Sequence, residues 1–208
     1  MTMTISKKIL SVIGVTLALA ACGTLYGTPE DDLPRYSEPR FTTETPIELR
    51  VNKINIVSEF TPSFTRPHVE HLFPVSIEKT ARLWAKDRLK AADFSSPKIA
   101  EVIIKDASVT EELEEGAQIF EQDKVKYSAR LVVAVKVTDP SSLAQASTEV
   151  EAWRSLTIPA GTDIAAKEAY WNSMVQKLFD DFNDRMTANI YQHLNAFVIN
   201  QDITPVYY

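Results

Sequence analysis

The stretch Val125-Lys126-Tyr127-Ser128-Ala129-Arg130-Leu131-Val132-Val133-Ala134-Val135-Lys136-Val137 decides the class of fold. Val125, Tyr127, Ala129, Leu131, Val133, Val135 and Val137 share one parity. Lys126, Ser128, Arg130 and Lys136 fall on the other. Successive side chains of a strand point to opposite faces, so this reads as a strand with one buried and one mainly wet face. Asp139-Pro140-Ser141-Ser142 reads as a turn. Ala144, Ala146, Thr148, Val150, Ala152, Leu156 and Ile158 then alternate back, until Pro159 and Gly161 end the run. A long antiparallel pair is therefore the expected centre of a sheet.

Upstream, Ile47, Leu49 and Val51 alternate, and Ile54 and Ile56 resume on the other parity. One strand with an irregularity at Asn52-Lys53, such as a bulge, accounts for the switch. A loop with Pro62, Pro67 and Pro74 follows, in which Leu72 and Phe73 are expected to enter the core. Ser76 is the expected N-cap of a helix, with Glu78 in its first turn. Its apolar face is Ile77, Ala81, Trp84, Ala85 and Leu89, and it should end before Ser95-Ser96-Pro97. Ile99 to Val109 reads as the second strand, and Glu111 to Lys124 as a long acidic hairpin connection. Downstream, Trp171, Met174, Val175, Leu178, Phe182, Met186, Ile190, Leu194 and Phe197 recur at three- and four-residue steps, without Pro or Gly between Thr162 and Asn200. This predicts an amphipathic helix of roughly 55 Å whose end overhangs the sheet or bends. The expected fold is α+β, in the order β-α-β-β-β-α. It is a two-layer sandwich: a four-stranded, mostly antiparallel sheet with both helices on one face. One domain spans residues 46–200, followed by a tail, 201–208.

The N-terminus reads differently. Lys7 and Lys8 precede an almost wholly apolar run from Ile9 to Ala21, 13 residues long. A membrane-spanning helix needs about 20, so an export signal over residues 1–21 fits better. The signal ends Leu19-Ala20-Ala21-Cys22, followed by Gly23. This resembles the lipobox of bacterial lipoproteins. The resemblance implies cleavage before Cys22, a diacylglyceryl thioether on its sulfur and acylation of the new amino group. Gly23 stands where those lipoproteins carry Asp for inner-membrane retention, which implies the outer membrane, with the domain in the periplasm. Cys22 is the only cysteine of 208 residues, so no internal disulfide exists and lipidation removes an exposed thiol. Residues 23–45, with Pro29, Pro34 and Pro39, read as a flexible tether. As a coil it places the domain on the order of 27 Å from the bilayer.

Composition is 45% apolar and 24% charged with net charge −6. Removing residues 1–21, which hold two lysines and no acid, makes it −8. An acidic domain has no electrostatic footprint for nucleic acid or anionic lipid, so membrane attachment must come from the lipid. Little in the chain signals chemistry. Beyond the signal there are four glycines, Gly23, Gly27, Gly116 and Gly161, so no glycine-rich phosphate loop exists. No G-x-S-x-G turn and no cysteine nucleophile is present, and no cofactor is expected. His68 and His71 flank Val69-Glu70. That spacing offers two imidazoles and a carboxylate, but it is not H-E-x-x-H and lacks a third strong ligand. A packed loop is the expected role, with both histidines as candidate partner contacts. His193 falls on the long helix as a packing or surface residue. Glu111, Glu112, Glu114, Glu115, Glu121 and Asp123 lack a calcium-loop pattern and read as a solvated hairpin tip, with an electrostatic docking surface for a basic partner as the alternative. Trp84 and Trp171 lie on apolar helix faces. Trp153 has the wet parity of its strand and is either an exposed contact residue or packed under the 58–74 loop.

The β-α-β-β-β-α order behind a lipobox and a proline-rich tether is similar to several envelope lipoproteins. They include auxiliary lipoproteins of ABC-type envelope transport, the lipopolysaccharide-assembly lipoprotein and activators of cell-wall synthases. Val69-Glu70-His71-Leu72-Phe73-Pro74 before the Ser76 helix also resembles a group of uncharacterised proteobacterial lipoproteins. The resemblance implies a non-catalytic accessory or assembly component of an envelope transport or biogenesis machine. It would dock by the outer sheet face, an edge strand or the overhanging helix. The long apolar stripe raises an alternative, a periplasmic carrier of lipid or another apolar ligand between helix and sheet.

Overall fold

The computed structural model describes residues 36–116 and 122–199. In chain order these form β1 (Ile47–Leu49), β2 (Lys53–Ser58), α1 (Ile77–Arg88), β3 (Leu89–Ala91), β4 (Ile99–Asp106), β5 (Val109–Glu114), β6 (Lys124–Asp139), β7 (Ala144–Pro159) and α2 (Ile164–His193). The class is the expected one: an α+β sandwich whose mostly antiparallel sheet carries a long C-terminal helix.

β6 and β7 are 16 residues each and pair along their whole length, from Lys124↔Pro159 to Asp139↔Ala144. The other edge of β6 takes β4 and β5 in succession. Pairing runs from Ile99↔Thr138 to Ile104↔Val133, then resumes at Asp106↔Val132 and continues in β5 to Glu114↔Lys124. One extra residue has entered the β4 side, a bulge at Lys105–Asp106. A bulge reverses parity. Accordingly Ala100, Val102 and Ile104 are buried before it and Ala107 and Val109 after it. The second strand thus extends past Val109 into the acidic stretch, and Glu111–Glu114 are strand rather than hairpin tip. β2 lies parallel to β4 and completes the five-stranded sheet.

The expected first strand divides. Val51 N donates to the Leu49 carbonyl (2.8 Å), a tight turn that separates β1 from β2. β1 joins a two-stranded parallel ribbon with β3, from Ile47↔Leu89 to Leu49↔Ala91. α1 begins as read, with Ser76 Oγ accepting from Lys79 N (3.2 Å). It stops at Arg88, because Leu89–Ala91 leave the helix to pair with β1. α2 starts after Asp163, whose carboxylate accepts from Ala166 N (3.1 Å). Its 30 residues span about 45 Å. It does not overhang. After His193 the chain tightens into a 3₁₀ turn at Asn195–Phe197. Arg50 N then donates to Phe197 O (2.7 Å) and Ile199 N to Glu48 O (2.9 Å), closing the helix end onto β1.

Both helices cover one sheet face. Trp84 of α1 meets Phe182 of α2 edge-on at 4.9 Å, and Phe179 and Phe182 meet at 5.8 Å. Leu131, Val133, Val135, Val150 and Ala152 lie beneath, all buried. Burying each large apolar side chain contributes about 1.5–3 kcal/mol, so the inner face with α2 supplies the main stabilisation. Trp84, Leu178, Phe179, Phe182, Met186 and Ile190 are wholly buried. The space an apolar-ligand carrier would need between helix and sheet is therefore occupied by side chains.

The tether expected up to Thr45 is docked over its last ten residues. Arg40 Nε and Nη2 donate to the two oxygens of Asp87 (2.8 and 2.7 Å), and Phe41 N donates to the same carboxylate (3.1 Å). The Phe41 ring is buried beside Phe179. Deeper, Asn183 Oδ1 accepts from Trp84 Nε1 and Arg88 Nε, both at 3.0 Å, while its Nδ2 donates to Glu44 (3.0 Å). Arg88 also donates to the Thr45 carbonyl and to Thr187 Oγ1. One buried node thus joins the N-terminal strap, α1 and α2, with its polar groups paired.

Truncating Phe41 to Ala should lower unfolding free energy by about 3 kcal/mol in urea titration. The Arg40 guanidinium holds the Asp87 carboxyl below its ordinary value of 3.8, against the opposing effect of burial. A depressed carboxyl contributes stability above its unfolded pKa and loses it as pH falls through the folded value. Asp87→Asn should therefore be destabilising at pH 7, and its deficit against the parent should shrink progressively below about pH 4. A deficit independent of pH would show that the Arg40 pair is not its source.

Candidate functional site

The sheet face opposite the helices is open, and several of its charges are paired among themselves. Arg130 on β6 donates to Glu151 on β7 (2.7 Å) and to Asp106 (2.6 Å), which the bulge brings to this face. Hydrogen bonds to Glu151 and then to Asp106 push the Arg130 pKa upward, and Arg130 in turn pulls Glu151 down. Lys105 bonds Glu149 (2.6 Å), which raises the Lys105 pKa. In the ladder Lys126 stands opposite Glu112, and Lys136 opposite Glu101. Between these charges Val132 and Ala134 are buried at 5% and 7% exposure, although they have the wet parity. In register Val132 faces Asp106 and Glu151, and Ala134 faces Ile103 and Glu149. The stems of long charged side chains cover apolar backbone neighbours in this way while their heads stay in water.

Trp153 lies on this face, directly opposite Arg130. It is 69% exposed, far beyond the buried Trp84 and Trp171. It sits in the body of β7, not near its end, and the 58–74 loop does not cover it. Val57, on β2 of the same face, is 40% exposed. An exposed indole surrounded by charges that already have partners has the composition of a contact anchor. Trp carries large apolar area, and its rim need not be desolvated unpaired.

The histidine loop is held by a residue that sequence reasoning considered only as a metal ligand. Glu70 accepts from Ser63 N (3.0 Å) with one oxygen and from Val109 N (3.3 Å) with the other. It ties the proline-rich loop to β5. Val69 N donates to Val109 O (2.9 Å) and Glu111 N to Pro67 O (2.8 Å), so the loop also shields the β5 edge. Val69 and Phe73 enter the core. Leu72, expected there, is half exposed at 51%. His68 Nδ1 stands 3.9 Å from Glu70, whereas His71 faces the exposed Phe64 ring at 5.4 Å. The two imidazoles therefore serve different neighbours, and no three metal-ligating side chains converge among the described residues. A hollow of about 170 Å³ lies between this loop and the start of α1, lined in part by Phe60, Phe64, His71 and Phe73.

A wider hollow, about 480 Å³, opens where α2 begins, between Arg66, Glu111, Leu113, Val125, Tyr127 and Lys167. Arg66 pairs with Glu111 (3.0 Å). Burial, then the Glu111 charge, pushes the Tyr127 hydroxyl pKa upward. The Tyr127 ring packs on Phe73 and Trp171. Nothing in the spacing of Arg66, Glu111, Tyr127 and Lys167 announced their meeting, because four separate elements, the proline-rich loop, β5, β6 and α2, bring them together. Cys22, the remaining candidate, lies outside the described residues.

No family model and no curated protein matches the chain. Among solved structures, a minor lipoprotein of Acinetobacter baumannii is 11% identical, with TM-score 0.38, over 73% of this chain and 98% of that one. A Xanthomonas campestris protein from a family of unknown function is 13% identical, with TM-score 0.32, over 73% and 98%. A putative neuraminyllactose-binding hemagglutinin homolog of Helicobacter pylori is 11% identical, with TM-score 0.30, over 68% and 89%. No function is carried across at these values.

Trp153→Ala should change stability by less than about 0.5 kcal/mol, because the side chain is mostly in water. Glu70→Gln should lose about 1–3 kcal/mol by weakening two partly buried backbone attachments. Limited proteolysis should then cut between residues 58 and 74 sooner than in the parent. An unchanged cleavage rate would refute the stapling role of Glu70.

Proposed function

We propose that this chain is a membrane-anchored envelope lipoprotein, held by acyl chains on Cys22, which acts as a non-catalytic accessory or assembly component of an envelope transport or biogenesis machine. Two chains or more are needed for stable anchoring, at about 0.8 kcal/mol per buried CH₂, and a diacylglyceryl thioether supplies them. No helix among the described residues is long and apolar enough to cross a membrane, so the lipid is the anchor proposed. The outer membrane, faced from the periplasm, is the proposed site by the Gly23 resemblance.

The observation that carries the docking role is Trp153, an exposed aromatic in the middle of a rigid sheet face where several charges are already paired. Such a face presents apolar contact without a net field, so its partner is recognised by shape and apolar burial rather than by long-range attraction. The overhanging helix end is withdrawn as a docking element, since it closes onto β1.

Two measurements test this reading. Cys22→Ala should move the chain from the membrane to the soluble fraction or leave its signal uncleaved. A photo-crosslinking side chain placed at Val57, and separately at Trp153, should capture an envelope protein in intact cells. Capture of nothing but the chain itself at both positions, with an intact envelope after deletion, would remove the accessory role.

A further inference from the structure

β7 is the margin of the five-stranded sheet. It pairs with β6 through all 16 residues and, among the described residues, with no other strand. On the opposite flank, formed by β2 and β5, residues 67–69 shield β5. Beyond the β6 ladder, the only backbone group of residues 144–158 with another partner, among the described residues, is the Glu149 carbonyl, which accepts from Asn189 Nδ2 of α2 (3.4 Å). Further along, Trp153, Arg154 and Ser155 are exposed in succession, so neither face is covered there. A long unpaired edge is a template for another strand unless charge, proline or a covering element blocks it. Here Pro159 blocks only the end of the strand.

The charges on β7 favour a second copy of the same chain. In an antiparallel pair about a two-fold axis normal to the sheet, one residue stands opposite its own copy, and all pairs share a face. An axis at Glu149 or Glu151 sets Glu against Glu. An axis at Val150 sets Glu149 against Glu151, and one at Arg154 sets Arg against Arg. Like charges directly opposite are destabilising. An axis at Ala152 sets the Glu151 carboxylate against the Trp153 indole, so the two exposed indoles do not meet. An axis at Trp153 pairs Trp153 with Trp153, Glu151 with Ser155, Arg154 with Ala152, and Val150 with the half-buried Leu156. On the inner face Val150 then meets Leu156 while Arg154 stands beside the small Ala152, and on the outer face the two exposed indoles bury each other. Axes nearer either end of β7, such as one at Thr148, shorten the ladder and leave the indoles exposed.

We propose that two copies of this chain join by antiparallel pairing of their β7 strands, centred on Trp153, so that two five-stranded sheets run on as one. The proposal goes beyond the accessory role and competes with an envelope partner for Trp153: a crosslinker at Trp153 that captures only a second copy supports it, and one that captures an envelope protein there counts against it.

Its test uses the full chain in the cell envelope, carrying Glu151→Cys and Ser155→Cys together. Within one chain these positions are about 13 Å apart along the strand, too far to bridge. Across the proposed axis they are direct neighbours. Mild oxidation should convert the double variant to a covalent dimer at least tenfold more than either single variant or the parent, which also controls for Cys22. Independently, the detergent-solubilised parent should sediment as a dimer at micromolar concentration, and Trp153→Asp should weaken association at least tenfold. A monomeric parent overturns the proposal. So does a double variant that fails to crosslink while the parent dimerises, or a single variant that crosslinks as efficiently as the double.

Discussion

Sixteen consecutive cross-strand pairs between β6 and β7 are the constraint on which the rest of the domain depends. They turn one row of side chains, Leu131 through Val137 on β6 and Val150 and Ala152 on β7, toward a common interior. That row is apolar without interruption, so it has to be covered. α2 supplies the cover with Trp171, Val175, Leu178, Phe179, Phe182, Met186 and Ile190. α1 is placed by what α2 leaves exposed. Trp84 fills the gap beside Phe182 and sends its indole N–H to Asn183. The N-terminal strap and the β1–β3 ribbon then close over the helices. The same pairing fixes the outer face, because parity gives each inward valine an outward neighbour. Arg130, Glu149, Glu151 and Trp153 are therefore arrayed by the core, on backbone held by the same ladder.

Period-two patterning made β6 and β7 legible, since both strands have one face in water and a slip of one residue would invert them. The exposure of Trp153 followed from the same parity. The bulge was also written in the chain, as burial moving from Ala100, Val102 and Ile104 to Ala107 and Val109, but a polar run after Val109 disguised the continuation into β5. What could not be read were elements whose state depends on distant partners. Leu89-Lys90-Ala91 is good helix material, yet it is strand because β1 offers a ladder. Leu194 and Phe197 continue the helical period of α2, yet the chain turns there to bond residues 48–50. The strap around Arg40 and Phe41 has no local periodicity, and its partners lie 47 and 138 residues further along. Glu70 looked like a ligand beside two histidines. Its geometry makes it a backbone staple, since two amide donors are closer to it than either imidazole.

The strap also changes how the anchor acts on the domain. A lipid on Cys22 would be joined to a segment clamped at Arg40, Phe41 and Glu44, rather than to one that enters freely at β1. The clamp bears on both helices through Asp87, Phe179 and Asn183, at the layer opposite the open sheet face. On the proposed function, attachment and docking would fall to opposite layers of the sandwich. That separation lets a tethered domain offer its outer face without releasing the strap.

All of this takes meaning from the sulfur of a single residue. The most direct measurement is the intact mass of the chain purified from cell membranes, with fragmentation at its N-terminus. The account predicts a chain that begins at Cys22 and carries acyl groups on that residue. A chain that begins elsewhere, or whose Cys22 has the mass of an unmodified thiol, would contradict it.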